Sequence, residues 1–255
     1  VNLFASEEKF PELVNPVQMA VDTDGRLFAS VWPSYPHWNP TEPRTDRILC
    51  LPDDNRDGVA DRCVIFADQL NSVTGFEFWG GGMLVAAAPE IWFLKDTDGD
   101  DKANVFETVT DDWEISGNYH EYAFGPRETP DGKLWVVEMA DYPLGLDGKG
   151  KPGGRVRFLE DRDGDGQYDH STLFLDEISF PTSVLPWGKG VLVTAAPDLF
   201  YAEDTNGDGL SDHREALYRG FGTWNQQHLV NGLRWGLDNW VAIANGDSGG
   251  SVRSL

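Results

Sequence analysis

Apolar residues along this chain fall in short runs rather than in helical stripes. Arg26 to Val31, Gly75 to Trp79, Met83 to Ala87, Ile91 to Leu94, Leu134 to Glu138, Val191 to Ala195 and Leu199 to Ala202 are compact β-prone segments. Gly, Pro, Asp and Asn punctuate them, and no stretch of helical length carries an apolar period near 3.6. The pattern predicts an all-β chain of short strands joined by tight turns.

The strands recur in register. An offset of 108 residues places Arg47 on Arg155, Leu51 on Leu159, Phe66 on Phe174, Trp79 on Trp187, Leu84 on Leu192 and Ala87-Ala88-Pro89 on Ala195-Ala196-Pro197. With one residue of adjustment, Asp24-Gly25-Arg26-Leu27-Phe28 falls on Asp131-Gly132-Lys133-Leu134-Trp135. A third copy opens at Trp235-Gly236-Leu237-Asp238-Asn239-Trp240-Val241 and does not run to completion by Leu255. Sub-repeats of about 40 to 65 residues, each with roughly four strands, predict blades of a β-propeller. The expectation is one propeller domain over 1–255. It would hold two-blade repeats at 16–110 and 123–220 and a partial third from residue 230, as a piece of a longer propeller. Within each repeat one blade is lengthened, by the excursion Trp32 to Thr45 or Pro143 to Gly154.

Four acidic loops mark the register. They begin at Asp53, Asp96, Asp161 and Asp204, so each unit holds one pair. Alternate side-chain oxygens can converge on one cation, and a glycine after them lets the backbone turn sharply. The candidate calcium ligands are Asp53, Asn55, Asp57, Val59 and Asp61 in the first loop and Asp96, Asp98, Asp100, Lys102 and Asn104 in the second. The third offers Asp161, Asp163, Asp165, Gln167 and Asp169, and the fourth Asp204, Asn206, Asp208, Leu210 and Asp212. Val59, Lys102, Gln167 and Leu210 would contribute backbone carbonyls. The other reading is an empty Asp/Gly turn with side chains capping the backbone.

The fourth loop also fits an EF-hand, with Glu215 at its twelfth position, whereas the second has Asp101 where glycine belongs. An EF-hand needs flanking helices, and Ile91 to Leu94 and Leu199 to Ala202 are strand-like. A strand-to-strand calcium turn closed from the ninth position is therefore expected.

Charge sharpens this picture. Net charge is −23, with 43 acidic against 20 basic side chains, and much of the acid lies in the four loops. Such a field opposes nucleic acid and anionic membrane surfaces. No run approaches the roughly 18 apolar residues of a membrane span, so no membrane insertion is expected. Calcium loops in this number favour a periplasmic or secreted setting. Cys50 and Cys63 bracket the first loop, either as a disulfide or as two small buried thiols.

His120 and His228 lie 108 residues apart, each just ahead of an innermost strand. They are either structural hydrogen-bonding groups of the repeat, proton acceptors or metal ligands. Trp32, Tyr35, His37 and Trp38, with Tyr142 from the second excursion, form either a sugar-stacking surface or packing over a blade face. Gly246-Asp247-Ser248-Gly249-Gly250 spells the nucleophile loop of trypsin-like proteases, but no matching His and Asp contexts accompany it. No Cys-x-x-Cys-His attaches haem, and no glycine-rich phosphate loop supports a nucleotide.

Asn15-Pro16-Val17-Gln18-Met19-Ala20, Tyr35-Pro36-His37-Trp38, the acidic loops and Val137-Glu138-Met139-Ala140-Asp141-Tyr142-Pro143 together resemble a known family. It is the N-terminal propeller domain of large secreted planctomycete and verrucomicrobial membrane-bound dehydrogenases, similar in fold to soluble quinoprotein sugar dehydrogenases. The resemblance covers nearly the whole chain. It implies a periplasmic or secreted location, oxidation of a sugar, a PQQ-type quinone cofactor and a c-type haem domain elsewhere in the full-length chain. It places His120 and His228 where a proton acceptor would stand, but no matching cluster of quinone-gripping Arg and Lys is found. The alternative is a non-catalytic propeller that binds carbohydrate or protein.

Overall fold

Turn chemistry closes each hydrophobic run into an antiparallel meander. The computed structural model describes residues 2–36, 41–111, 122–138, 153–225 and 228–255, and it divides into two compact units, Val1–Glu114 and Ile115–Leu255. The division falls between the two long repeats. Among the described residues the regular structure is strand throughout, and each four-stranded sheet is a propeller blade.

In the first unit, β1 (Pro16–Val21), β2 (Leu27–Val31), β3 (Asp46–Leu51) and β4 (Val64–Leu70) form one blade. The second blade consists of β5 (Val73–Trp79), β6 (Gly82–Ala87), β7 (Glu90–Lys95) and β8 (Val105–Thr110). Their facing surfaces build a core from Phe28, Ile48, Cys50, Phe66, Phe76, Met83 and Val85. Alternation along each strand sends one set of side chains into that layer and the other set to its opposite face. The opposite face of the first blade is covered by Phe4 and Phe10 from the N-terminal segment, packed on Leu49, Leu51 and Ala60.

The second unit repeats the plan with β9 (Ala123–Glu128), β10 (Leu134–Glu138), β11 (Gly154–Glu160) and β12 (His170–Ile178), then β13 (Pro181–Trp187), β14 (Gly190–Ala195), β15 (Asp198–Glu203) and β16 (His213–Phe221). The third copy supplies a two-stranded sheet, β17 (Asn231–Trp235) and β18 (Val241–Ala244), after which β19 (Gly250–Ser254) turns back to pair with β16.

One turn recurs in all three copies with the same hydrogen bond. Asp22 N–H bonds Arg26 C=O at 3.0 Å, Thr129 N–H bonds Lys133 C=O at 2.9 Å and Gly236 N–H bonds Trp240 C=O at 2.7 Å. The left-handed residue within it is Gly25, Gly132 or, in the third copy, Asn239 at φ 64°. Asn tolerates that region better than other side chains do.

Cys50 and Cys63 are both free thiols. Cys50 pairs with Val64 across β3 and β4 and lies in the inter-blade core, while Cys63 packs on the opposite face. Burial pushes the Cys50 thiol up to about 12. Burial, then the nearby Glu12 carboxylate, raises that of Cys63 to about 11.

Candidate functional site

Every acidic loop joins the third strand of its blade to the fourth, and the four share one hydrogen-bond plan. The first aspartate accepts the N–H five residues on: Gly58 to Asp53 at 2.9 Å, Asp101 to Asp96 at 2.9 Å, Gly166 to Asp161 at 2.9 Å and Gly209 to Asp204 at 2.7 Å. The fifth-position carboxylates of Asp57, Asp100, Asp165 and Asp208 accept the N–H groups of Val59, Lys102, Gln167 and Leu210 at 2.8 to 2.9 Å. The ninth position closes the ring. Asp61 accepts Asp54 N–H at 2.8 Å, Asn104 accepts Thr97 N–H at 3.0 Å and Asp212 accepts Thr205 N–H at 2.7 Å.

These bonds gather oxygens. Asp96, Asp98 and Asp100 bring carboxylate oxygens within 4.8 Å of one another, and so do Asp161, Asp163 and Asp165. In the first and fourth loops Asn55 and Asn206 replace the middle carboxylate with an amide oxygen. The donor sets are all oxygen, as a hard cation requires. In the fourth loop backbone donors also lower the pKa of two of the carboxylates. The N–H of Gly209 keeps Asp204 below the ordinary carboxylate value, and that of Thr205 does so for Asp212.

The second and fourth loops also bond to the fourth strand of the blade before them in the same unit. Ala103 N–H donates to Phe66 C=O of β4 at 2.7 Å, and Ser211 N–H donates to Phe174 C=O of β12 at 2.9 Å. Ala60 N–H makes the matching bond to Phe4 C=O of the N-terminal segment, 2.9 Å away.

The histidine site is built differently. His228, half exposed, sits just before β17, and its Nδ1 is bonded to Asp247 Oδ1. The carboxylate against Nδ1 orients the ring so that Nε2 is the nitrogen turned away from Asp247. Gly246 makes this approach feasible, because a Cβ there would lie 2.5 Å from the His228 carbonyl oxygen. Ser248 is buried, donates its hydroxyl to Asn225 C=O at 3.1 Å and accepts the Trp224 indole N–H on its own carbonyl at 3.0 Å. The protease-like stretch thus serves to hold β19 and to present Asp247. The sequence singles out the stretch that contains Asp247 but gives no sign of its contact with His228.

His120, His37, Trp38 and Tyr142 lie outside the described residues. Trp32 packs against the inter-blade core of the first unit and donates its indole N–H to Val73 C=O at 2.7 Å. Tyr35 is 42% exposed, its ring 6.5 Å from that of Trp32. The repeat pattern names Trp187 and Trp235 but not their contact with each other. Trp187 and Trp235 stack face to face, 4.9 Å apart with 10° between planes, on the β13–β14 and β17–β18 hairpins.

A profile described as a domain of unknown function, DUF7133, matches the chain twice, over residues 1–131 and 127–255. The chain belongs to the DUF7133 family. The boundary between the two matches falls near the boundary between the two long repeats. No match was found among curated protein sequences.

Among solved structures, this DUF7133 chain is similar to a luciferin-regenerating enzyme, with a TM-score of 0.51 and 12% identity over 82% of this chain and 63% of that one. It therefore spans less than two thirds of that neighbour's length. At such identity the likeness shows the fold alone. A looser likeness is to a Thermus thermophilus protein described as an oxidoreductase (glucose dehydrogenase), with a TM-score of 0.44, 12% identity and coverage of 95% and 97%. Another is to the PQQ domain of a pyranose dehydrogenase from Coprinopsis cinerea, with a TM-score of 0.40, 10% identity and coverage of 94% and 92%.

Proposed function

We propose that this chain is a calcium-stapled propeller domain of a secreted or periplasmic protein. The observation that carries the reading is the loop geometry: oxygen donors converge in a repeated turn whose own backbone is bonded to the neighbouring strand. Cation binding at Asp96, Asp98 and Asp100, or at Asp161, Asp163 and Asp165, would relieve carboxylate repulsion within the loop, and at the second loop it would also stiffen the bond from Ala103 N–H to Phe66 C=O of the first blade. Removal of calcium by a chelator should lower the melting temperature by several degrees, read by differential scanning calorimetry. An unchanged melting temperature after thorough stripping would refute a structural role.

A second reading, oxidation of a carbohydrate hydroxyl, is favoured by the His228–Asp247 pair. Nε2 of His228 would accept the hydroxyl proton while Asp247 holds the ring and stabilises its positive charge. PQQ, when bound, would supply the two-electron acceptor that this oxidation requires. Turnover of a sugar panel with a dye acceptor, lost in His228→Ala, would support the oxidation. Glycan binding without turnover, retained in that variant, would favour a non-catalytic carbohydrate-binding module. A c-type haem domain in the full-length protein would be the natural electron acceptor for the first outcome.

A further inference from the structure

At its sixth position the second loop carries Asp101, where the other loops carry Gly58, Gly166 and Gly209. Asp101 holds a φ of 64°, a left-handed backbone that disfavours a side chain. That side chain is 13% exposed and bridges two guanidinium groups, Arg26 at 2.6 Å and Arg62 at 2.7 Å. Arg26 is itself gripped by Asp22 at 2.7 Å, and Arg62 reaches back to Asp54 of the first loop at 3.0 Å.

Both ends of this bridge touch the candidate ligands through the backbone. Asp101 N–H donates to Asp96 Oδ2 at 2.9 Å in the second loop, and Asp54 N–H donates to Asp61 Oδ2 at 2.8 Å in the first. An unbroken line of contacts thus runs Asp96, Asp101, Arg62, Asp54, Asp61. In the second unit the equivalent positions are Gly209, His170 and Arg162, and Arg162 turns instead to Glu160 at 2.9 Å.

We propose that the Asp101–Arg62–Asp54 bridge makes the first and second loops one cooperative unit, so that order imposed on either is felt at the other, whereas the third and fourth loops act independently. As far as the ordering agent is calcium, this rests on the calcium reading above. Fixing Asp54 around an occupied first loop fixes Arg62 and hence Asp101, so the second loop binds with part of its ordering cost already met.

The test is a calcium titration of the whole chain followed by the amide signals of Gly58, Gly99, Gly164 and Gly207. Disabling the first loop with Asp53→Ala should weaken calcium at the second by at least about 5-fold. The same change should have no effect there in an Asp101→Gly background, and Asp161→Ala should leave the fourth loop unchanged. Asp101→Gly installs the residue of the other loops, so it cuts the bridge without imposing strain, and Arg62→Gln cuts it from the other side. If Asp53→Ala leaves the second loop's affinity unaltered, the coupling is wrong while the calcium reading stands. If calcium moves no loop signal, the calcium reading fails and the bridge is judged by metal-free amide exchange. Asp101→Gly should then speed exchange at Asp54 several-fold and leave Arg162 as it was; unchanged exchange at Asp54 overturns the proposal.

Discussion

The two long repeats share strand order, register and loop plan, yet they fill and tie their blades with different chemistry. In the first unit Phe28 meets Phe66 and Phe78, each at 5.3 Å and edge to face, with the small Cys50 alongside. In the second, Trp135 stands at the position of Phe28 and meets Phe158 at 5.1 Å and Phe174 at 4.8 Å. Phe158 takes the place of Cys50, and Pro186 that of Phe78. Bulk lost at one position is regained at another, as close packing of a duplicated shape demands. The polar ties diverge too. Asp46 accepts from Ser34 and Ser72 in the first unit, whereas Glu138 pairs with Arg157 at 2.6 Å in the second. The two repeats thus share a backbone plan that admits different side-chain fillings.

The core exchange should give the largest separation between the repeats. Phe158→Ala is expected to cost about 3–5 kcal/mol in urea unfolding, against about 1 kcal/mol for Cys50→Ala, which removes one sulfur. Equal costs would mean that the two cores are not packed as described. Trp135 sharpens the same comparison, because its buried indole N–H has no hydrogen-bond partner among the described residues. Trp135→Phe, which copies the first unit, should change stability by no more than about 1 kcal/mol, since lost contacts are offset by removal of an unsatisfied donor.

A smaller effect is expected from exchanging loop residues. Gly209→Asp would place a Cβ 3.1 Å from Thr172 Cγ2 at a φ of 89°, with no paired guanidinium to receive the carboxylate, and should cost about 1–3 kcal/mol. Asp101→Gly loses ion pairs but relieves left-handed strain, and should stay within about 1 kcal/mol of the parent.

Acid should distinguish the repeats least. Asp204 in the fourth loop is held below the ordinary carboxylate value by backbone donors. Asp96 in the second, despite the desolvation of burial, is lowered as well by the N–H groups of Gly99 and Asp101. A depressed carboxylate contributes stability that is present above its unfolded value and is lost as pH falls through the folded one. Gly99 and Gly207 amide shifts should therefore stay constant down to about pH 4 and then change together below it.

The blades were legible because a period written four times in loops and strands outweighs the ambiguity of any single short run. The strand from Leu134 to Glu138 and the turns at Gly25, Gly132 and Asn239 follow from local pattern alone. What stayed hidden depends on partners distant in sequence. Asp101 looked like a defective loop glycine until Arg26 and Arg62 were brought beside it. Asp247 lay inside a stretch whose spelling suggested another chemistry, and its pairing with His228 needed the return of the chain towards β16. The packing of Phe4 and Phe10 on the first blade repeats nowhere, so no periodicity announced it.

That return has a consequence for self-association. β19 adds a fifth strand to β13–β16 through the pairs Tyr218 with Ser254, Arg219 with Arg253 and Phe221 with Gly250. It occupies backbone donors and acceptors along an edge that another polypeptide could otherwise extend as a strand. The cover is thin, since every residue of β19 is exposed. Residues 250–254 thus form the border of that sheet, and if they were peeled away the backbone groups of β16 would be open to pairing with another strand.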